Sequence, residues 1–267
     1  MPASDQESDS LTSLRSPGSE SRSLGEANKL AEIRTAQEAL ERGERHSFNK
    51  PFALQWGPEP FVKWATISCA LSALGVQEGA AVLDVGCGEG WTTLFLAEAG
   101  FKPVGIDLAP ARVRMGVARA GRWGAAAEFR VADMESIDLG RQFDFVLVYD
   151  ALHHTKRQAA SVARVAAHLK PGAWTLFGEP SWLHQVSPGA RRTHRELGWI
   201  ERGITVRGLK RDCAAAGLGN FRRIWEPTAP YGDRRGVLWE GVRLLAGNLC
   251  VAPHTSVWLA AQRISSN

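Results

Sequence analysis

The stretch Val82-Leu83-Asp84-Val85-Gly86-Cys87-Gly88-Glu89-Gly90-Trp91 decides how this chain is read. Ala80, Ala81, Val82 and Leu83 form an apolar lead into Asp84. The following Thr92-Thr93-Leu94-Phe95-Leu96-Ala97-Glu98-Ala99 reads as helix. Strand, glycine turn and helix in that order open a nucleotide-binding βαβ unit. Gly86, Gly88 and Gly90 permit a sharp turn and let a ligand approach the main chain with no Cβ in the way.

Charge and spacing narrow the ligand. A dinucleotide fingerprint needs a third glycine where Trp91 stands, and its loop must receive a pyrophosphate that Asp84 and Glu89 would repel. An acidic loop suits a ligand with cationic groups. S-adenosyl-L-methionine has an ammonium and a sulfonium there and no phosphate. Val104-Gly105-Ile106 then ends in Asp107, placed for two ribose hydroxyls, with Leu108 beside it. A third strand ends in Asp133-Met134, an acceptor for the adenine amine and a thioether to lie on the ring.

Five ordered segments carry a family resemblance: VLDVGCGEG (82–90), GIDLA (105–109), VADME (131–135), FDFVLVYDALHH (143–154) and LKPGAWTLFGEP (169–180). The chain resembles a class I S-adenosylmethionine-dependent methyltransferase of the small-molecule type over roughly residues 78–180. The resemblance implies a Rossmann-like α/β fold. Its doubly wound seven-stranded sheet is mostly parallel, strand seven is antiparallel between five and six, and helices lie on both faces. It also implies a cofactor site made of Asp84, Gly86, Cys87, Gly88, Gly90, Trp91, Asp107, Leu108, Asp133, Met134, Asp150 and Ala151.

At 267 residues the chain suffices for one large domain, or one domain with a lid. Residues 1–24 hold eight serines and read as a disordered tail; 25–77 read as N-terminal helices forming a cap, and 78–267 as the core, with insertions at 181–203 and 228–254. A net charge of +4 is carried mostly by arginine, 25 of the 32 basic residues, with no dense basic run, so no nucleic-acid partner is expected. The [D/N]-P-P-[Y/F] motif of nucleic-acid amine methylation is also absent after strand four, where Asp150-Ala151-Leu152-His153 stands. Four scattered cysteines suggest free thiols and no metal site. With no apolar run of membrane-spanning length and no leader, a cytoplasmic protein is expected.

In order, helices are expected at 25–45, 61–74, 91–99, 110–120, 157–169 and 206–216, the last with Thr205 as N-cap. Strands are expected at 81–85, 103–107, 127–131, 143–148, 173–177, 221–225 and 256–261. The segment from His46 to Phe52 is expected to line the cleft.

Methyl transfer needs an acceptor held in line with an activated carbon, water kept out, and, for a hydroxyl, a base. His154 is the leading candidate base, followed by His153 and His184. Glu179, taken to face the cleft, could orient the acceptor; a strand-end carboxylate with a structural role is the equal alternative. Arg191, Arg192 and Arg195, with Arg234 and Arg235, suggest a small-molecule acceptor carrying an anionic group, or else a solvated basic face. The stripe Leu238, Val242, Leu245 and Leu249 reads first as core packing or a homodimer contact, and second as an interfacial helix reaching lipid-linked substrates at a membrane surface.

Overall fold

The computed structural model describes residues 17–42, 50–52, 57–226 and 256–265, with side chains from Gly25 onward. Residues 1–16, the expected cleft segment His46–Asn49 and the stripe from Arg234 to Val251 lie outside these.

Among the described residues, one seven-stranded sheet has the order β3-β2-β1-β4-β5-β7-β6. The strands are β1 (Ala81–Val85), β2 (Lys102–Asp107), β3 (Glu128–Val131), β4 (Phe143–Tyr149), β5 (Leu169–Pro180), β6 (Leu218–Arg223) and β7 (Ser256–Arg263). The first five pair in parallel, and β7 runs antiparallel to both β5 and β6. The chain order reverses between β1 and β4, which opens a crevice beyond their carboxyl ends.

The central strands are apolar almost throughout because both faces are covered. On β4, Val146 and Val148 point into one cluster with Val162 and Val165 of α5 (Gln158–Ala167) and Leu209 and Cys213 of α7 (Val206–Ala215). Phe145 and Leu147 point into the other, with Ile67 and Leu71 of α2 (Glu59–Ala73) and Leu96 of α3 (Trp91–Glu98). Helix α4 (Pro110–Trp123) stops at Gly124, whose φ of 67° supplies the left-handed C-terminal turn.

Three elements differ from expectation. Helix α1 (Pro17–Glu41) begins inside the segment read as a tail; Pro17 is compatible with a first helical position, where no N–H is needed. Strand β5 is longer than its apolar run because its ladder with β7 extends from Trp174↔Gln262 to Pro180↔Ser256. Strand β6 starts three residues early, at Leu218, since pairing with β7 begins there and an irregularity between Gly219 and Arg222 displaces the rest. The 181–203 insertion also contains an unexpected helix, α6 (Pro188–Leu197). Ser187 caps it by accepting from Ala190 N at 3.1 Å, and Gly198 ends it at φ 76°.

Helix α1 is held over the carboxyl ends of the strands by polar contacts. Asn28 accepts from Ile200 N at 2.6 Å and donates to His154 O at 3.3 Å. Lys29 Nζ reaches Asp133 Oδ2 at 2.6 Å and Glu135 Oε2 at 2.8 Å. Glu135 also accepts from the backbone N–H groups of Lys156 and Arg157, both at 3.0 Å, and from Arg157 Nε at 3.2 Å. Burial alone would raise its carboxyl, but the bonds from Lys29 and Arg157 prevail and hold it at about 2.

Two outcomes test this architecture. Gly178 of β5 sits opposite Trp258 of β7, and a Cβ there would overlap the buried indole. Gly178→Ala should therefore lower stability by about 1–3 kcal/mol in chemical denaturation. Gly121→Ala, in a helix with nothing near the added carbon, should raise it by about 0.4–1 kcal/mol. Because the Glu135 carboxyl is depressed on folding, its contribution is complete above the ordinary carboxylate range and is lost as pH falls toward about 2. Glu135→Gln should destabilise the protein at pH 7, with the gap to the unmodified chain closing on acidification.

Candidate functional site

Beyond the carboxyl ends of β1, β2, β3 and β4 lies a cleft. Of the residues expected at a cofactor, Gly86, Asp107, Leu108, Asp133, Met134, Asp150 and Ala151 line it, and so does His154. Asp107 is held on both oxygens, Oδ2 accepting from Gly88 N and Oδ1 from Ala109 N, each at 2.9 Å. Its orientation is fixed by the turns it closes. Ile106, Leu108, Ala132 and Met134 supply an apolar wall next to it.

The glycines do different jobs. Gly86 (φ 73°) lets the turn after β1 touch the turn after β4, since a Cβ there would overlap that of Ala151. Gly88 (φ 54°) has open space where a side chain would stand. Gly90 (φ 78°), with Gly116 and Gly105, makes room for the Phe129 ring. Trp91 and Cys87 are also buried away from the cleft. Trp91 packs edge-on against Phe95 and Tyr149, and Cys87 is buried with its thiol pushed well up by burial and by the charges of Asp84 and Asp107.

Asp84 does not line the cleft either. It is 1% exposed, and its Oδ2 accepts from the Thr92 and Thr93 hydroxyls, both at 2.6 Å. Burial raises its carboxyl to about 6 despite those bonds. The acids that border the cleft are Asp107, Asp133, Glu135, Asp150 and Glu32. Burial lifts Glu32, on α1, to about 7. Cations from two helices meet these acids. Lys29 pairs with Asp133 and Glu135, and Arg112 lies 3.8 Å from Glu89 and 4.0 Å from Asp107.

On the acceptor side the structure assembles a histidine–carboxylate cluster. Glu179 does not face the cleft: it is fully buried and turns under the end of β4. There it accepts from the N–H groups of Ala151 (3.1 Å), Leu152 (2.9 Å) and His153 (3.3 Å), and from His153 Nδ1 at 2.8 Å. Burial disfavours charge on His153, but Glu179, Asp150 and Glu201 around it raise its pKa to about 9. His153 is thus held as a cation, unsuited to receiving a proton. Burial and that neighbouring charge push His154 down, so it is a neutral imidazole donating through Nδ1 to Ile200 O at 2.8 Å. His184 Nε2 lies 2.7 Å from Glu201 Oε2.

Glu201 was missed in the sequence, as were Lys29, Glu32 and Arg112. Glu201 belongs to no motif, and its loop is brought to the cluster by Ile204, which bridges to Ser181 at the end of β5, and by Arg202 N, which donates to His153 O at 3.0 Å. Trp199 from the same loop meets His154 edge-on at 5.5 Å and donates to Thr35 of α1 at 3.2 Å. Arg191, Arg192 and Arg195 do not line the cleft. They are exposed on α6, with Arg192 paired to Glu196 at 3.0 Å, which is the solvated-face alternative. Of the expected His46–Phe52 segment, Phe52 is described, and it packs on Phe61, Phe95 and Trp123. No described helix is long and apolar enough to cross a membrane.

Residues 82–172 match a protein family described as "Methyltransferase domain". The ubiquinone biosynthesis O-methyltransferase of Bordetella avium (strain 197N) is 30% identical over 146 residues, covering 52% of this chain and 61% of that protein. The chain therefore matches about three fifths of that curated relative's length. A solved S-adenosylmethionine-dependent methyltransferase from Mesorhizobium loti has a TM-score of 0.56 at 20% identity, covering 76% of this chain and 100% of that one. The YcgJ protein from Bacillus subtilis gives 0.57 at 15% identity over the same shares. At these identities the structural likeness speaks to the fold. Residues 82–172 thus match a methyltransferase domain, and the chain has the Rossmann-like fold of solved S-adenosylmethionine-dependent methyltransferases.

Proposed function

We propose that the protein moves the methyl group of S-adenosylmethionine to a small-molecule or saccharide-like acceptor, at oxygen in preference to nitrogen. The observation that carries the reading is Asp107. Its carboxylate is fixed at the end of β2, between a side-chain-free turn at Gly88 and the apolar wall of Leu108, Ala132 and Met134. These residues fit the nucleoside. Asp107 would take the ribose hydroxyls, and Met134 and Leu108 would flank the base. Asp133 would accept from the adenine amine on oxygens that already accept from Lys29 and from Glu135 N. Gly86 and Gly88 would lie along the amino-acid end.

When bound, the cofactor supplies a carbon already activated by its sulfonium. The chain's own work is to bind, orient and dehydrate. Helix α1 roofs the cleft through Asn28 and Lys29, and Trp199 closes the side next to His154. An acceptor hydroxyl would meet the histidine–carboxylate cluster through His154 and Asp150, the two members that border the cleft. Oxygen is preferred because the name of the Bordetella relative points that way.

Calorimetry with S-adenosylhomocysteine tests the reading. Asp107→Ala should weaken binding at least tenfold, about 1.4 kcal/mol. Asp107→Asn, which keeps an acceptor oxygen and the side chain's shape, should lose less. NAD should give no heat. Unchanged affinity in Asp107→Ala, or no binding by the unmodified protein, would sink the assignment. Transfer of labelled methyl to a panel of phenols and sugars then separates an enzyme from a protein that binds the nucleoside without turnover.

A further inference from the structure

We propose that His153, His154 and Glu201 bind a divalent first-row metal ion, with Zn²⁺ the best match, at the acceptor end of the cleft. One ligand atom from each of the three falls within a set spanning 4.8 Å. Around zinc, with bonds of about 2.0–2.2 Å, such atoms stand about 3.3–3.5 Å apart. The set therefore has to contract by little more than an ångström, within the reach of side-chain rotation.

Orientation is the stronger argument. A ligating imidazole typically has its other nitrogen engaged by a carboxylate or carbonyl, which fixes the tautomer and aims the lone pair. Both rings are held in this way. Glu179 takes His153 Nδ1 at 2.8 Å, so an entering ion would displace the proton from Nε2 of that imidazolium; the Ile200 carbonyl takes His154 Nδ1 at 2.8 Å, the nitrogen that also stands 4.0 Å from Glu201, so His154 would ligate through Nε2. The third ligand is near at hand, Glu201 Oε2 lying 3.7 Å from His153 Nε2. Its side chain is 9% exposed, and its ion pairs are with His153, His154 and His184, imidazoles that can exchange a proton for a metal.

Two further groups stand next to the set. Asp150 Oδ1 is 4.0 Å from His153 Nε2, on a non-glycine residue held at φ 54°, and such backbone strain gathers at ligand clamps. His184 is joined to Glu201 at 2.7 Å. Two imidazoles and one carboxylate make the donor set of catalytic zinc and of other borderline first-row ions, three protein ligands leave a further position on a tetrahedral ion, and His154 is the member that lines the cleft. An ion there would meet an acceptor oxygen entering past Asp150 and His154 and lower the pKa of its hydroxyl. That consequence rests on the methyltransferase reading, but ion binding does not.

The test uses the full chain, stripped with chelator and reloaded with Zn²⁺ or Co²⁺. Mass spectrometry of the dialysed protein should find about one zinc per chain, and the cobalt form should show visible ligand-field bands. Glu201→Gln and His154→Ala should each bind at least tenfold more weakly and lose those bands. Glu179→Gln, acting through His153, should weaken binding by about 10–100-fold. Circular dichroism and S-adenosylhomocysteine calorimetry on the same samples report whether each variant folds and keeps its nucleoside site. No stoichiometric metal in the unmodified chain, or undiminished binding by folded Glu201→Gln and His154→Ala, would overturn the proposal. Neither result would touch the nucleoside site.

Discussion

The end of the cleft at Asp150 and His154 depends on one enclosed carboxylate. Where β4 ends, Asp150 takes a left-handed conformation and residues Leu152–His154 form a short 3₁₀ turn, so several N–H groups lose their ladder partners at a buried place. Glu179 arrives beneath them because β5 lies beside β4 in register, Tyr149 opposite Gly178. Its two oxygens satisfy three backbone donors and the His153 ring together. Leaving such buried donors without a partner costs about 1–3 kcal/mol each. Fold and site are therefore not separable here. The bonds that finish the turn also decide which way the imidazoles point and which of them carries charge.

The same economy governs the other strand ends. Asp84 is spent on the two threonines that open α3, Asp107 on the N–H groups of Gly88 and Ala109, and one oxygen of Asp133 on Glu135 N. Each acid ties down a turn beyond the strand ends, its own or, for Asp107 and Gly88, that of the neighbouring strand, and parallel strands bring all those turns to one edge. This relocates the electrostatic argument. Asp84 is too enclosed to set the sign of the ligand directly. The negative field over the cleft comes from Asp107, Asp133, Glu135 and Asp150, and Lys29 and Arg112 offset part of it.

How much of this was legible follows from which contacts are local. The parallel half could be read because its strands are buried on both faces and the glycine turn follows directly on β1. Helix α6 was written in the chain as Ser187-Pro188 before and Gly198 after, cap, first-turn proline and left-handed stop. Its exposed arginines also suit anion binding, so the same residues carry two readings in the sequence. The placement of β6 was not legible, since its register is imposed by β7 across a long separation. Neither was the close approach of a ring on β3 to Gly90, which comes in addition to the left-handed turn that residue makes (φ 78°). Glu201 lay beyond reach for the same reason: its partners come from the ends of β4 and β5, and no spacing within its own segment announces them.

Helix α1 shows what such distant contacts imply for function. Its apolar contribution is slight, Ile33, Ala36 and Leu40 against Ala109 and Ala111. What fastens it is polar: Asn28 spanning His154 O and Ile200 N, Lys29 on two carboxylates, and Thr35 receiving the Trp199 indole. Hydrogen bonds of this kind contribute about 0.5–1.5 kcal/mol each on balance, because water competes for the same groups. An element attached in this way detaches at far less cost than a strand of the sheet, whose burial would have to be undone. Helix α1 and the loop that brings Glu201 are thus joined to each other through Asn28 and Trp199, and the loop in turn is tied to the core by Arg202 N on His153 O and by the buried Ile204. Ile200 stands at the junction, its N–H on Asn28 of α1 and its carbonyl on the ring of His154, so the same residue holds the helix and orients the imidazole.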